Sequence, residues 1–186
     1  MEQVVPVKLQ PLSDEAFRPY GTVLGLKSPV FPEVEDGKPV QVLFRLKRGA
    51  QNNARLEDLA VHFSYNQTFS PIKGTMALVV APPPRNRDAG HERYELDYDK
   101  IAAFVLGPGD ACIINKGVWH GAAALGDECL VISDTRKGVE VTSTGMIESG
   151  GGYNINLQDA VRKKASPFVE IVEIKKRDNR VIELQL

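Results

Sequence analysis

Apolar residues recur along the chain in short runs. Residues 4–9, 21–26, 40–47, 59–65, 75–81, 101–106, 110–114, 129–133, 138–142, 168–174 and 180–186 are rich in Val, Ile, Leu and Phe. Each run is bounded by Gly, Pro, Asn or Asp. Short runs at this spacing predict an all-β sandwich or barrel rather than alternating strand–helix units. Helical signals are few. Ser13 is placed to cap a short helix through Phe17, with Asp14 and Glu15 in its first turn and Pro19 ending it. Asn156 is placed to cap a second, with Leu157, Ala160 and Val161 on one face and basic residues at 162–164. The polar stretch 82–93, PPPRNRDAGHER, reads as an exposed connection, so His91 within it is expected to be solvated. Residues 149–152, SGGG, mark a joint. The chain therefore divides into a β domain at 1–148 and a C-terminal extension at 149–186, with a short helix and strands. The extension's two amphipathic strands either complete the sheet as a hairpin or form an arm on a partner subunit.

Length and composition narrow the picture. A chain of 186 residues makes one domain with enough core to need no staples. Hydrophobic residues at 42% and charged residues at 25% are ordinary globular values, which excludes wholesale disorder. Lys plus Arg is 23 against 24 Asp plus Glu, a balance of −1. No cationic field is present to neutralise phosphates, which argues against a nucleic-acid partner. The longest apolar runs, Met76 to Ala81 and Ile101 to Leu106, fall far short of the roughly 20 residues of a membrane span. The opening residues MEQVVPVKLQ lack the pattern of a secretory signal, so a cytoplasmic location is expected. Cys112 and Cys129 lie in apolar strand-like runs and read as buried thiols in a reducing compartment.

Chemistry concentrates in two segments. In GDACIINKGVWH, Gly109-Asp110 turns into a strand, Asn115-Lys116-Gly117 turns out of it, and His120 follows. Gly109, Gly117 and His120 have the spacing of the second cupin motif, whose turn aims a histidine into the barrel mouth. Upstream, in AVHFSYNQ, His62 and Gln67 fall on the second histidine and the glutamate of the first cupin motif. Ala60 stands at the first ligand position and offers no donor. The candidate metal ligands are thus His62, Gln67 and His120, a neutral set. No obligatory cofactor is expected, and a divalent metal should bind weakly at best.

These segments resemble the ureidoglycolate lyase family of cupins, once called ureidoglycolate hydrolases. The resemblance runs over PLSDEAFRPYGTVL (Pro11 to Leu24), HFSYNQTFSPIKG (His62 to Gly74), IAAFVLGPGDACIINKGVWH (Ile101 to His120) and VISDTRKG (Val131 to Gly138), in that order. It covers about residues 7–148. The chain departs from the family pattern at Ala60, where glutamate is usual, and at Phe63, where proline is usual.

The resemblance implies a cupin-type double-stranded β-barrel, a jelly roll with few short helices, assembled as a homodimer. It implies a carbon–nitrogen lyase acting on a small carboxylate, ureidoglycolate, in allantoin degradation and purine metabolism. Such a reaction needs a base for the substrate hydroxyl, an acid for the departing urea nitrogen and a cation for the carboxylate. His120, His62 and Lys73 are the catalytic candidates. Gln67, Arg45, Tyr65 and Trp119 are the substrate-binding candidates. Strand alternation leaves the inward face of Arg45 open, and Lys73, Tyr65 and Trp119 each have a plain structural reading. Two other functions remain: a metal-dependent cupin isomerase or dioxygenase on another small acid, and a non-enzymatic cupin that binds a small acid or sugar.

Overall fold

The computed structural model describes residues 2–26, 29–35, 39–47, 55–89, 93–136 and 170–185. Its strands and helices begin with β1 (Gln3–Pro11), α1 (Asp14–Phe17), β2 (Gly21–Val23), β3 (Pro39–Lys47), β4 (Arg55–Leu56), β5 (Leu59–Val61), β6 (Gln67–Lys73) and β7 (Met76–Ala81). They continue with β8 (Ala102–Leu106), β9 (Cys112–Ile114), β10 (Trp119–Ala124), β11 (Glu128–Arg136), β12 (Glu170–Val172), α2 (Ile174–Asp178) and β13 (Arg180–Gln185). One sheet has eight strands in the order β12-β5-β10-β7-β8-β1-β13-β4, and the other has five in the order β2-β9-β6-β11-β3.

Alternation along the central strands explains how the sheets pack. Met76, Leu78 and Val80 of β7 enter a cluster with Phe17, Phe69, Phe104, Cys112, Ile114, Cys129 and Val131, drawn from both sheets. That cluster is the interior between them. Ala77, Val79 and Ala81 enter a second cluster with Leu59, Trp119, Ile174 and Ile182. The eight-stranded sheet is therefore covered on both faces, which is why β7 reads as an unbroken apolar run. Within the interior, Phe104 meets Phe17 edge to face at 5.1 Å between centroids and Tyr20 at 6.0 Å.

Ser13 caps α1 as expected, its side chain accepting from the Ala16 amide at 3.3 Å. The C-terminal segment is not a hairpin. Helix α2 separates its strands: β12 pairs antiparallel with β5, while β13 pairs parallel with β1 and antiparallel with β4. The apolar run at 168–174 is thus a short strand running into a helix. The run at 59–65 also stops early, at Val61, because the chain turns there to begin the site. Strands β6 and β10 are not evident from apolar runs: β6 carries Gln, Thr, Ser and Lys, and β10 is mostly Ala and Gly. Gly74 joins β6 to β7 at φ +74°, where a Cβ would overlap the Glu128 carbonyl oxygen. The expected strand at 138–142, the expected helix after Asn156, and His91 lie outside the described residues.

Removing the Phe104 ring would leave a cavity against Phe17 and Tyr20 that rigid strands cannot close. Phe104→Ala should cost about 3–5 kcal/mol of stability, read as a lower urea midpoint with an unchanged slope.

Candidate active site

The site forms where β5 ends and β6 begins, against the middle of β10. His62 follows Val61, Gln67 opens β6, and His120 is the second residue of β10. Trp119 points to the outer cluster, so alternation sends His120 into the interior between the sheets. There its ring lies 4.8 Å from that of His62, at 69°, and 6.1 Å from that of Phe69. Both histidines are buried, at 2% and 7% exposure.

Backbone carbonyls set both tautomers. His62 Nδ1 lies 2.8 Å from the Tyr65 carbonyl oxygen, and His120 Nδ1 lies 3.0 Å from that of Val118. A carbonyl only accepts, so each Nδ1 carries the proton and each neutral ring keeps its lone pair on Nε2. His62 Nε2 is 3.1 Å from Gln67 Oε1. Gln67 Nε2 donates to Ser133 Oγ at 3.1 Å, and Ser133 donates to the Thr68 carbonyl at 2.5 Å. The Thr68 amide in turn donates to Asp134 at 2.7 Å.

Burial decides the charge state. It lowers His62 to about 3, with the neighbouring His120 adding to the effect. It lowers His120 to about 4. Both rings are neutral acceptors at pH 7.

A strap supports the His62 turn. Val34 bridges to Tyr65, the Glu35 amide donates to the Ser64 carbonyl at 2.7 Å, and Asn66 Oδ1 accepts from the Glu33 amide at 2.8 Å. Lys116 holds the strap from the other side, 3.1 Å from Glu33 and 2.9 Å from Glu35. The next amide, of Gly117, donates to the His62 carbonyl at 2.7 Å. A Cβ at Gly117 would press on the Phe63 ring, and its φ of +79° also favours glycine.

The structure brings together His62, Gln67 and His120 and places the other candidates around or away from them. Tyr65 stacks on His62 at 3.7 Å and 7°, so it buttresses the ring from a buried position. Trp119 is buried on the opposite side of β10 against Tyr94, its indole Nε1 without a hydrogen-bond partner among the described residues. Arg45 and Lys73 lie opposite Leu130 across β11, on the face pointing away from the interior. They meet Glu128 there, at 3.7 and 2.7 Å. Strand alternation settles the open question for Arg45: Cys129 and Val131 face inward, so Leu130 and its partners face outward. Ser133, which sequence reasoning passed over, stands on the inward phase of β11, and a hydroxyl at a core position was the available signal. An open cleft of about 550 Å³ lined by Arg93, Tyr94, Tyr98, Arg177 and Arg180 lies elsewhere and shares no residue with the histidine site.

The donor set does not fit a tightly held divalent cation. It offers two imidazoles and one amide and no anion to offset the ion's lost hydration. Among the described residues, no three His, Cys, Asp or Glu side chains converge as a metal cluster. Ala60 lies directly across the ladder from His120, on the same face, where a carboxylate would complete the set.

Two facing sheets with histidines aimed into one interior define a cupin-type double-stranded barrel. The ureidoglycolate lyase family model matches residues 28–144, more than half of the sequence, and the chain belongs to that family. Similar solved structures include a dTDP sugar isomerase from Desulfovibrio desulfuricans G20, at 22% identity over 62% of this chain and 68% of that one, TM-score 0.38. RmlC from Streptococcus suis, in complex with dTDP-D-xylose, shares 12% identity over 64% and 59%, TM-score 0.38. Bacillus subtilis oxalate decarboxylase shares 13% over 83% and 37%, TM-score 0.38. This chain thus spans little more than a third of the decarboxylase, and likeness at this level carries no argument about activity. No curated protein matches the chain. Among the described residues, no helix is long and apolar enough to cross a membrane.

The buried histidines should make the fold acid-sensitive. In the unfolded chain they take up protons as pH falls below the ordinary value of 6.5, while in the fold they resist until about 4 and about 3. The unfolded state then binds more protons, so stability falls with pH across that window. Urea midpoints measured from pH 7 to pH 4 should drop, and the drop should shrink in His120→Gln. Elemental analysis after dialysis against chelator should find metal well below one per chain, and Ala60→Glu should raise retention.

Proposed function

We propose that this protein is a lyase cleaving the C–N bond of ureidoglycolate, a small carboxylated hemiaminal, to glyoxylate and urea. One observation carries the reading: in a chain of this family, two buried neutral imidazoles present Nε2 acceptors within one interior. The reaction consumes no water. The substrate O–H and C–N bonds break, and a C=O and an N–H bond form. His120 Nε2 takes the hydroxyl proton, the electron pair left on oxygen closes the carbonyl, and the nitrogen departs with the C–N pair. The imidazolium of His120 then returns the proton to that nitrogen, so one group serves as base and acid. Burial supports this cycle, because the charged ring is unfavourable and gives its proton up readily. His62 and Gln67 hold the ureido group. Arg45 and Lys73 are already engaged with Glu128, so the carboxylate clamp is assigned to neither.

We place the enzyme in the cytoplasm as a homodimer without an obligatory metal. The outer face of the five-stranded sheet, where Leu43 and Ile132 stand exposed opposite each other, is the surface such a dimer would cover. Ala60 favours the competing reading, a cupin that binds a small acid without turnover, because it removes a charged group from the site.

Purified protein should release urea and glyoxylate from ureidoglycolate equally with and without chelator. His120→Ala should lose about a hundred- to ten-thousand-fold in rate, with an unchanged far-UV spectrum. His62→Ala should lose less and Gln67→Ala least, because an amide exchanges no proton. The acid limb of the pH profile should fall near pH 4, where His120 protonates, rather than in the usual imidazole range. Full turnover by His120→Ala defeats the mechanism. Tight binding of glyoxylate with no turnover by the native protein moves the function to binding, and chelator-sensitive activity on another acid moves it to a metal-dependent cupin. Light scattering that shows only monomer at micromolar concentration removes the dimer.

A further inference from the structure

The hydrogen-bond chain from His62 to Ser133 has carbonyl acceptors at both ends. At one end the Tyr65 carbonyl takes the His62 Nδ1 proton. At the other, the Thr68 carbonyl lies 2.5 Å from Ser133 Oγ, and the Asp134 carbonyl is the hydroxyl's other neighbour at 3.4 Å. Ser133 has one proton, and a carbonyl claims it. Its oxygen is then an acceptor toward Gln67, 3.1 Å away. The two ends of an amide are told apart by what they bond. Gln67 turns its NH2 to Ser133, which points Oε1 at His62.

The consequence lies at His62 Nε2. A neutral ring with its proton on Nδ1 has a lone pair there, facing the Oε1 lone pairs at 3.1 Å. Two buried acceptors opposed without a proton between them are left unsatisfied by the protein alone. His120 Nε2 is a third acceptor of the same interior, and none of the described residues hydrogen-bonds it. A ligand that brings N–H or O–H donors satisfies this set, and a ligand that brings a carboxylate does not.

We propose that Ser133 is a positioning residue, turning the Gln67 carbonyl toward His62 so that the site takes its ligand through hydroxyl and ureido N–H donors. The ligand half of this inference rests on the lyase reading above; the Ser133 half does not. It also places the substrate carboxylate away from the two histidines and Gln67.

The test uses the full chain labelled with 15N in its histidine side chains, at pH 7 with chelator. Ser133→Ala removes the hydroxyl, and Ser133→Cys keeps the volume while weakening the hydrogen bonds. In both variants Gln67 is free to turn its NH2 to His62. The His62 Nε2 resonance should then move upfield while that of His120 stays in place, a change that loosened packing alone would not confine to one ring. Urea affinity should fall about three- to tenfold, the loss of one neutral hydrogen bond, while acetate affinity does not fall. A change at His62 with weaker urea binding, in a protein that turns over no ureidoglycolate, upholds the inference and sinks the lyase reading. Unchanged His62 signals and urea affinity in both variants overturn the inference whatever the turnover. So does an imidazolium signature for His62 in the native protein.

Discussion

Two backbone carbonyls decide what this site can do. Tyr65 and Val118 each accept the Nδ1 proton of a buried histidine, which fixes where each neutral ring keeps its lone pair. With Nδ1 fixed, both neutral rings turn an Nε2 lone pair to the interior. With the rings buried, neither gains charge easily. The result is a pair of hydrogen-bond acceptors within a buried interior, poorly suited to keeping a proton. The carbonyls can do this only because their own segments are rigid. Val118 follows the Asn115–Gly117 turn, and Tyr65 is held by the bridge to Val34 and the bonds of Asn66 to the strap.

That strap connects the surface to the chemistry. Lys116, Glu33 and Glu35 are partly exposed charges, and exposed ion pairs contribute little stability individually. Their role here is geometric. Lys116 ties the strap to the turn whose Gly117 amide bonds the His62 carbonyl, so one cation draws together the segments carrying both histidines. Tyr65 closes the arrangement by stacking on His62.

Much of the barrel was legible in the sequence, because strands with an apolar phase betray themselves. Runs such as Met76–Ala81 and Ala102–Leu106 can be nothing but buried. His62, Gln67 and His120 were legible for a different reason: their spacing from fixed turns resembles a known pair of motifs. What escaped notice is what depends on pairing between distant strands. β6 and β10 are poor in large apolar residues and gain their identity from their neighbours. The face of Arg45, a substrate-binding candidate, and that of Lys73, a catalytic candidate, depend on the β11 register, which sets both on the outer face beside Glu128. Ser133 sits some 66 residues from its partner Gln67, a separation at which no local pattern operates.

Ala60, which looks like a loss when set against the family pattern, has a consistent place in this chemistry. It stands directly opposite His120 on the ladder between β5 and β10 and shares its face. A carboxylate at that position would lie within reach of the ring and favour the imidazolium. His120 would then take up a proton more readily than burial now allows. Gln67 follows the same logic: as an amide it contributes an oxygen without a charge. The two neutral residues add no anion beside the rings, so burial is the largest influence on both. The histidines therefore remain acceptors through the neutral range.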